Sequence, residues 1–429
     1  MATYLKQAPW HSPTDSEAVR TTVSEMLLRI EREGENAVRA YSRELDGWDP
    51  PSFVVGADEI VRATDELDPQ LLEHVEFAQT QVRRFAEAQR ESLTEVEVET
   101  LPGVTLGHRH IPVQNVGSYV PGGRYPMLAS AFMTVIVPKV AGVSRVVACA
   151  PPRAGQGIHP AMLHAMSTSG ADTILALGGV QALAALTFGL EDLEPVDLLV
   201  GAGNAYVAEA KRQLFGRVGI DVLAGPTEIL VIADETADPE LVATDLLGQA
   251  EHGPGSPAVL VTTSTELGEA VLAAVERLLP GWPTREVTEI AWRAHGAVVV
   301  VADDDEARAV SDRYAPEHLE VQVAEHKLDD YLAKLTNYGS LFLGTEATVA
   351  YGDKAVGTNH VLPTVGAARY TGGLWVGKFL KTCTYQRLTA EGTLRVAPAV
   401  AAISHAEMLG GHARTAELRL ERLSPASTA

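Results

Sequence analysis

The sequence predicts an α/β protein whose parallel β-sheets are covered by helices on both faces. From Val98 onward, short runs rich in β-branched residues alternate with stretches of helical periodicity. Strands at this spacing favour parallel pairing, because each crossover is long enough to hold a helix. The predicted strands lie in the runs VSRVVACAPP, DTILALGGV, PVDLLVGAG, VGIDVLAG, EILVIAD, PAVLVTT and GAVVVVAD.

Helical segments are predicted towards both ends of the chain. Within residues 15–45, apolar side chains recur at helical spacing with charged residues between them. These are Val19, Val23, Met26, Leu27 and Ile30. Residues 57–92 hold two further amphipathic stretches. From about Thr371 the strand signals largely cease, and residues 384–423 are predicted to form a helical C-terminal arm.

Composition and charge exclude several classes of function. The 429 residues are 46% hydrophobic and carry a formal net charge of −22, which argues against binding to nucleic acid or to an anionic membrane. Cys149 and Cys383 are too few for a disulfide framework or a thiolate zinc site. Any bound metal is therefore expected to have nitrogen and oxygen ligands.

The sequence also predicts a cytoplasmic protein that does not enter a membrane. The residues MATYLKQAPWHSPTDSEAV hold no apolar stretch typical of a secretory signal. The longest apolar run, Met127–Val143, is interrupted by Ser130, Thr134 and Lys139 and is not expected to span a bilayer.

A helix predicted to end at Gly253 carries the first candidate metal ligands. Asp238 is a suitable N-cap, and Pro239 suits the first helical position. Gln249 and His252 lie about one turn apart, so both side chains can point at one atom. A carbonyl and an imidazole suit a divalent cation such as zinc, although this pair could also be an ordinary solvated helix end.

Three glycine-rich turns follow predicted strands, at residues 120–123, 178–181 and 201–204. Ligands bind beyond the carboxyl ends of strands in open α/β sheets, and glycine there lets the backbone approach a phosphate. None of the turns has the G-x-G-x-x-G pattern, and the chain holds no G-x-x-x-x-G-K-[ST] loop. The turns therefore either build an unusual dinucleotide site or only connect strands to helices.

Two further clusters combine titratable side chains. Glu317 and His318 place a carboxylate beside an imidazole just after a proline, where they could share proton transfer or simply form a loop pair. Residues 352–363 combine glycines with Asp353 and His360 in a loop-like segment, and such loops often carry ligands.

The last cluster is Glu407 and His412, which close the helical tail. Five residues on an unbroken helix put two side chains on different faces. Gly410 and Gly411 would therefore have to break or turn the helix for both to serve one site. Otherwise these residues are an exposed helix end.

Together these pieces resemble the histidinol dehydrogenase family, from roughly Glu17 to Arg422. Eight sequence blocks in the family's order carry the resemblance. They are YVPGG (Tyr119–Gly123), PKVAGV (Pro138–Val143), GNAYVAEAKR (Gly203–Arg212), AGPTE (Ala224–Glu228), GQAEHG (Gly248–Gly253), APEHLE (Ala315–Glu320), NYGSLFLG (Asn337–Gly344) and GTNHVLPT (Gly357–Thr364).

The resemblance implies a zinc- and NAD-dependent dehydrogenase that oxidises a primary alcohol through an aldehyde to a carboxylate and consumes two NAD⁺. It implies that His318 takes the alcohol proton as general base and that Glu317 activates the water that attacks the aldehyde. One Zn²⁺ per subunit is expected mainly to hold and orient the substrate. Its ligands would be Gln249, His252, Asp353 and His412.

The resemblance also implies which residues of this chain contact NAD and the substrate. NAD contacts fall on Tyr119, Gln181 and Asn204, in or beside the glycine-rich turns. Substrate contacts fall on Thr227, Gln249, His252, His360 and Glu407.

The architecture that the resemblance implies is α/β, with two incomplete Rossmann-like domains with parallel sheets plus helical N- and C-terminal segments. Residues 1–18 would be the N-terminal segment, and 19–118 with 228–372 the domain that carries the metal and catalytic residues. Residues 119–227 would form the second domain, on the NAD side, and 373–429 the helical arm. The arm is expected to be exchanged in a homodimer, which brings Glu407 and His412 of each chain into the site of the other.

The sequence departs from the histidinol dehydrogenases in residues that bear on the substrate. Thr227 stands where those enzymes usually have serine. The stretches Gln81–Ser92, Val98–Gly117, Arg212–Asp221 and Ala368–Gln386 resemble the paralogous sulfopropanediol dehydrogenases instead. The blocks APEHLE and GTNHVLPT instead resemble the corresponding sequences of the histidinol dehydrogenases.

The substrate is therefore expected to be a small anionic diol such as 2,3-dihydroxypropane-1-sulfonate. Arg369, Lys378 and Lys381 could receive its anionic head group, or they could be salt-bridged surface residues. L-histidinol is the alternative substrate. A relative that has lost catalysis and only binds a ligand is a further alternative, which the complete set of site residues argues against.

Overall fold

The computed structural model describes residues 2–9, 16–123, 125–153, 155–190 and 192–424. Residues 10–15 of the predicted N-terminal segment lie outside this range. The chain divides into two compact units. The first unit comprises Met1–Gln89 and Val113–Phe379, and the second comprises Arg90–Pro112 and Leu380–Ala429.

The strands are β1 (Thr3–Lys6), β2 (Val96–Leu101), β3 (Val104–Pro112), β4 (Asn115–Tyr119), β5 (Arg145–Ala150), β6 (Thr173–Ala176), β7 (Leu198–Val200), β8 (Gly219–Ile220), β9 (Ile229–Ala233), β10 (Ala258–Thr262), β11 (Gly296–Val300), β12 (His318–Gln322), β13 (Ser340–Leu343) and β14 (Leu380–Leu388). The helices are α1 (Glu17–Glu33), α2 (Glu35–Tyr41), α3 (Ala57–Asp65), α4 (Pro69–Glu91), α5 (Leu128–Ala141), α6 (Pro160–Ser169), α7 (Gly179–Phe188), α8 (Ala205–Leu214), α9 (Pro239–Ala250), α10 (Thr265–Leu278), α11 (Arg285–His295), α12 (Asp304–Tyr314), α13 (Leu328–Lys334), α14 (Val349–Lys354), α15 (Ala390–Ala406) and α16 (Gly410–Leu423). A π-helical turn lies at Ser42–Asp46, and 3₁₀ turns lie at Leu279–Gly281, Glu325–Lys327, Ala367–Arg369 and Val376–Phe379.

The first unit contains two largely parallel sheets. The larger sheet has the order β1-β11-β10-β9-β12-β13, in which only β1 runs antiparallel to its neighbour among the described strands. The smaller sheet has the order β6-β5-β4-β7-β8 and is parallel throughout. Every residue of β9, β10 and β12 is buried, as expected for strands covered on both faces. The predicted α/β class is confirmed.

The strand order reverses once in the smaller sheet, between β4 and β7. Tyr119 ends β4, and Gly201 directly follows β7, so both lie at the carboxyl edge where open α/β sheets bind ligands. Gly201 has a φ of 108°, and a Cβ there would lie 2.0 Å from the carbonyl oxygen of Tyr119. Glycine is therefore required for the two strand ends to approach each other.

Local helix signals in the sequence have the expected effect. Asp238 caps α9 by accepting a hydrogen bond from Glu240 N at 2.7 Å, and Pro239 is the first helical residue. The helix ends at Ala250, so Gln249 lies in its last turn and His252 in the turn that follows. His252 N still donates to the carbonyl of Gln249 at 3.3 Å.

The prediction that residues 384–423 are all helical is wrong at its start, which forms a strand of the second unit. Residues 380–388 form β14, which pairs antiparallel with β3, and β3 pairs antiparallel with β2. Most side chains of β14 are exposed, so the sequence lacks the apolar alternation that reveals a half-buried strand. Helix begins only at Ala390. It breaks between Ala406 and Gly410, as expected if Glu407 and His412 do not share one helix.

No helix in the described part of the chain is long and apolar enough to cross a membrane. The apolar run of the sequence forms α5, whose residues from Ala129 to Pro138 are all buried within the first unit. The cytoplasmic location and the domain boundaries proposed from the sequence stay predictions.

Candidate active site

The catalytic residues predicted from the sequence meet at the amino edge of the larger sheet. Thr227 and Glu228 directly precede β9, and Glu317 directly precedes β12, whose first residue is His318. Because β9 and β12 are parallel neighbours with His318 opposite Ile229, their amino ends lie side by side. The carboxyl-edge rule for open sheets therefore does not describe this half of the site.

The carboxyl group of Glu317 is buried and hydrogen-bonded. Its Oε2 accepts from Thr227 Oγ1 at 2.5 Å and from Glu228 N at 3.0 Å. Burial raises the pKa of Glu317 to about 7, although the facing imidazole and these hydrogen bonds act in the opposite direction. A carboxyl group that titrates near neutral pH can both take up and release a proton.

The imidazole of His318 has its two nitrogens in different surroundings. Nδ1 lies 3.0 Å from the carbonyl oxygen of Glu228 and 3.3 Å from Gln249 Nε2. Nε2 is buried and has no hydrogen-bond partner among the described residues, although Asp353 Oδ1 lies 3.4 Å away. A proton on Nδ1, donated to the Glu228 carbonyl, therefore leaves Nε2 as the basic atom.

The protonation of His318 depends on its acidic neighbours. Burial lowers the pKa of the ring, but the charges of Glu317 and Asp353 outweigh burial and raise that pKa to about 9. A cation bound to Asp353 would cancel part of this attraction and return the pKa of His318 towards the range in which a neutral ring acts as a base.

Three of the four predicted metal ligands line one cleft of about 440 Å³. They are Gln249, His252 and Asp353. Burial lowers the pKa of His252, which favours a neutral imidazole. Burial would raise the pKa of Asp353, but the imidazole of His318 more than offsets this and holds the pKa well below its usual range. Gln249 Nε2 donates to Thr227 Oγ1 at 2.5 Å, which leaves the amide oxygen as its possible ligand atom.

This donor set fits a divalent cation such as zinc, because it offers a carboxylate, a neutral imidazole and a carbonyl. It is not a complete tetrahedral set within the first unit. His412, the fourth predicted ligand, is an exposed residue of α16 in the second unit, and Glu407 is exposed at the end of α15. In the described ranges, no group of three or more His, Cys, Asp or Glu side chains could hold a metal ion.

His360 lies beside the cleft with both ring nitrogens engaged. Nε2 lies 2.7 Å from Ser130 Oγ, and Nδ1 lies 3.1 Å from the carbonyl oxygen of Asp353. Burial lowers the pKa of His360 to about 4, so the ring is neutral. Its contact with Asp353 supports the segment that carries this predicted ligand. A direct contact with substrate stays a prediction.

The predicted NAD contacts lie around the carboxyl edge of the smaller sheet. Tyr119 and Gln181 are both buried beside the turn at Gly179, whose N–H donates to the Tyr119 hydroxyl at 3.4 Å. Gln181 Nε2 donates to Asp46 at 2.9 Å, while its Oε1 is buried without a partner among the described residues. Asn204 caps α8 and lines a cleft of about 940 Å³. The unpaired acceptor of Gln181 and the wide cleft beside Asn204 are features that a dinucleotide site would use.

The three cations considered for an anionic substrate do not line the cleft of Gln249, His252 and Asp353. Arg369 is exposed, Lys378 Nζ donates to Thr371 at 3.1 Å, and Lys381 belongs to the second unit. The structure instead brings Lys354 and Asp245 to the cleft, neither of which was identified from the sequence. Asp245 lies four residues before Gln249 on α9, a spacing that could have revealed it.

Sequence and structure comparisons identify the relatives of this chain. A sequence model of the histidinol dehydrogenase family matches residues 11–420. A histidinol dehydrogenase homolog from Shouchella clausii is 54% identical over 424 residues, which cover 98% of this chain and 99% of the relative. A sulfopropanediol 3-dehydrogenase from Ruegeria pomeroyi is 49% identical over 427 residues, covering 99% and 98%. A crystal structure of histidinol dehydrogenase from Elizabethkingia anophelis matches with a TM-score of 0.91 and 33% identity, covering 97% of this chain and 95% of that chain.

Enzymes of this family generally use NAD and zinc, act on small molecules and form dimers. The family match extends over nearly the whole chain, and the structural match confirms the fold. The chain therefore belongs to the histidinol dehydrogenase family of NAD-dependent dehydrogenases.

Proposed function

We propose that this enzyme oxidises a small primary alcohol with an anionic head group, 2,3-dihydroxypropane-1-sulfonate, to the carboxylate sulfolactate. The observation that carries the proposal is the 49% identity, over 99% of the chain, with a protein named sulfopropanediol 3-dehydrogenase. In the reaction, one alcohol, one water and two NAD⁺ give one carboxylate, two NADH and three protons. L-histidinol remains the alternative substrate, because the segments around Glu317 and His360 keep the histidinol-type sequence.

One cation in the cleft lining supports an anionic head group, beside the acidic residues Asp245, Glu251 and Asp353 of the same lining. Among the described residues that line the cleft, the one lysine or arginine is Lys354, which directly follows Asp353 in the sequence. A sulfonate is a fixed anion with three acceptor oxygens, which suits an ammonium group with three donors. We infer that Lys354 receives the sulfonate while the hydroxyl to be oxidised lies towards His318.

Zinc and NAD would complete this site. Gln249, His252, Asp353 and His412 would hold zinc, and Tyr119, Gln181 and Asn204 would contact NAD. When bound, zinc supplies a positive charge that orients the substrate oxygens, and NAD⁺ supplies the hydride acceptor.

Glu317 and His318 divide the proton transfers between them. His318 Nε2, the nitrogen without a partner among the described residues, takes the proton of the alcohol in the first oxidation. Glu317 takes a proton from the water that adds to the aldehyde before the second oxidation. The pKa of about 7 at Glu317 and its anchoring by Thr227 support this role, because a water-activating base must be partly ionised and fixed in place.

The proposal includes a homodimer in which each chain supplies Glu407 and His412 to the other. Large apolar side chains of the C-terminal helical pair support it, since their exposure in a single chain calls for a partner surface. They are Leu394 at 42%, Ile403 at 58%, Met408 at 91% and Leu409 at 45% exposure.

The substrate is tested by offering both alcohols to the zinc-loaded enzyme in parallel. We expect NADH formation at 340 nm with 2,3-dihydroxypropane-1-sulfonate and a kcat/KM at least about tenfold lower with L-histidinol, a difference of about 1.4 kcal/mol in transition-state binding. NADH formation with L-histidinol alone would assign the alternative function.

Lys354→Met should raise the KM for the sulfonate with a smaller effect on kcat. Losing a charge-assisted contact of about 1.5–3 kcal/mol corresponds to roughly a ten- to hundredfold weaker interaction. Lys354→Arg keeps the charge and should retain most of the affinity. Initial rates at varied substrate concentration measure both constants, and an unchanged KM for Lys354→Met would contradict the assignment.

His252→Ala should bind zinc at least about tenfold more weakly and lose turnover while the chain stays folded, because one ligand of the set is gone. Metal content after dialysis and circular dichroism measure the two effects. Exposed His326, on a 3₁₀ turn away from the cleft lining, provides the matched control His326→Ala. Wild-type zinc content in His252→Ala would contradict the ligand set.

Two inactive chains should complement each other if the arm is exchanged. In a heterodimer of Glu317→Gln/His318→Asn with His412→Ala, one site receives all the defects and the other receives none. Activity should then approach half that of a wild-type dimer. The heterodimer is isolated with two different affinity tags, and a purified heterodimer without activity would show that His412 acts in its own chain.

A further inference from the structure

A pair of carboxyl groups, the buried Glu320 and the partly buried Asp245, lies beside the site and takes no part in the proposed proton transfers. Glu320 is fully buried on β12, two residues after His318. Asp245 lies on α9, four residues before Gln249. Strand side chains alternate and helix side chains recur about every four residues, so each carboxyl group shares the face of its catalytic or metal-binding neighbour.

Hydrogen bonds connect this carboxyl pair to the helix that carries Asp353. Val349 N donates to Glu320 Oε1 at 3.0 Å, and Thr348 Oγ1 donates to Asp245 Oδ1 at 3.0 Å. Thr348 and Val349 are the N-cap and the first residue of α14, which has Asp353 in its last turn. The start of α14 is therefore held by one residue of β12 and one of α9.

Gln322 joins the two acids to each other. Its Nε2 donates to Asp245 Oδ2 at 2.9 Å and to Glu320 Oε2 at 3.1 Å. Two ionised carboxylates that share one amide donor would repel each other where Glu320 is buried, so the arrangement calls for one shared proton. Burial and the charge of Asp245 raise the pKa of Glu320 to about 8, which agrees with a carboxylic acid at Glu320.

We propose that Asp245 and Glu320 are positioning residues, which fix the start of α14 against β12 and α9 and so hold Asp353 and Gln249 in place around His318. Asp353 Oδ1 and His318 Nε2 lie 3.4 Å apart. In this proposal, the hydrogen bonds that hold the first turn of α14 fix that distance. The catalytic part of the inference rests on the proposed function, whereas the effect on geometry and metal affinity does not require a particular substrate.

The test compares Glu320→Met, Glu320→Gln and the core variant Leu246→Ala. Methionine fills the space but removes the hydrogen bonds, whereas glutamine can still accept from Val349 N and donate to Asp245. Leu246 is buried on α9 and belongs to the apolar core, so its truncation destabilises the same helix without touching the polar pair. The measurements are the melting temperature, kcat and KM, the zinc dissociation constant by chelator competition, and crystal structures.

We expect Glu320→Met to weaken zinc binding and to lower kcat by about 10- to 100-fold each, with a smaller change in KM. Its crystal structure should show Asp353 displaced from His318. Glu320→Gln should stay near wild type in all readouts. Leu246→Ala should lose stability but keep its zinc dissociation constant and kcat. Should Glu320→Met not fold, Asp245→Ala removes the bonds to Thr348 and Gln322 and is expected to give the same pattern.

Equal zinc affinity and kcat in Glu320→Met and Leu246→Ala at a similar loss of stability would overturn the inference, because the pair would then be only structural. Damage in Glu320→Gln as large as in Glu320→Met would overturn it too. If the wild-type enzyme oxidises neither alcohol, the proposed substrate fails, while the zinc affinities and the Asp353–His318 distance still decide the role of the pair.

Discussion

Burying a carboxylate away from water is unfavourable by several kcal/mol unless hydrogen bonds and charges compensate, and the site around Glu317 is arranged to provide that compensation. Thr227 and the amide of Glu228 both donate to Glu317, and Gln249 donates to Thr227 in turn. One chain of hydrogen bonds thus links the segment before β9, the segment before β12 and the end of α9. Moving any of these elements would leave a buried polar group unpaired.

The same constraint explains why the reaction centre lies at amino ends of strands. A side chain directly before a strand is fixed by the backbone pairing that follows it, so Thr227 and Glu317 are set by the register of β9 against β12. The smaller sheet uses its carboxyl edge in the usual way, with Tyr119 and the turn after β7 at the reversal of strand order. In our proposal the first edge performs proton transfer and the second holds the dinucleotide.

Sequence patterns predicted those parts of the structure in which local chemistry and burial agree. The capping residues before α9 predicted where this helix begins. The fully apolar runs predicted strands such as β9 and β10. Both signals are local in the sequence. The exposed strand β14 was wrongly predicted as helix, since pairing with β3 rather than burial defines it. Motif resemblance brought Glu317, His318, Gln249, His252 and Asp353 together.

The residues that the sequence did not reveal are those whose role depends on tertiary contacts. Glu320 lies within a recognised block, yet only its bond to Val349 shows that it supports the helix of Asp353. Lys354 directly follows Asp353 in the sequence, but only the structure shows that it lines the same cleft as the predicted ligands. Conversely, Arg369 was considered because of its charge, but the fold leaves it outside the lining of that cleft.

In our proposal one site carries out two successive oxidations, with His318 and Glu317 acting in turn. It is tested most directly by counting NADH per alcohol consumed while the product is identified by mass spectrometry. We expect two NADH for each 2,3-dihydroxypropane-1-sulfonate and sulfolactate as the product. One NADH per alcohol, with the aldehyde accumulating as the final product, would contradict it.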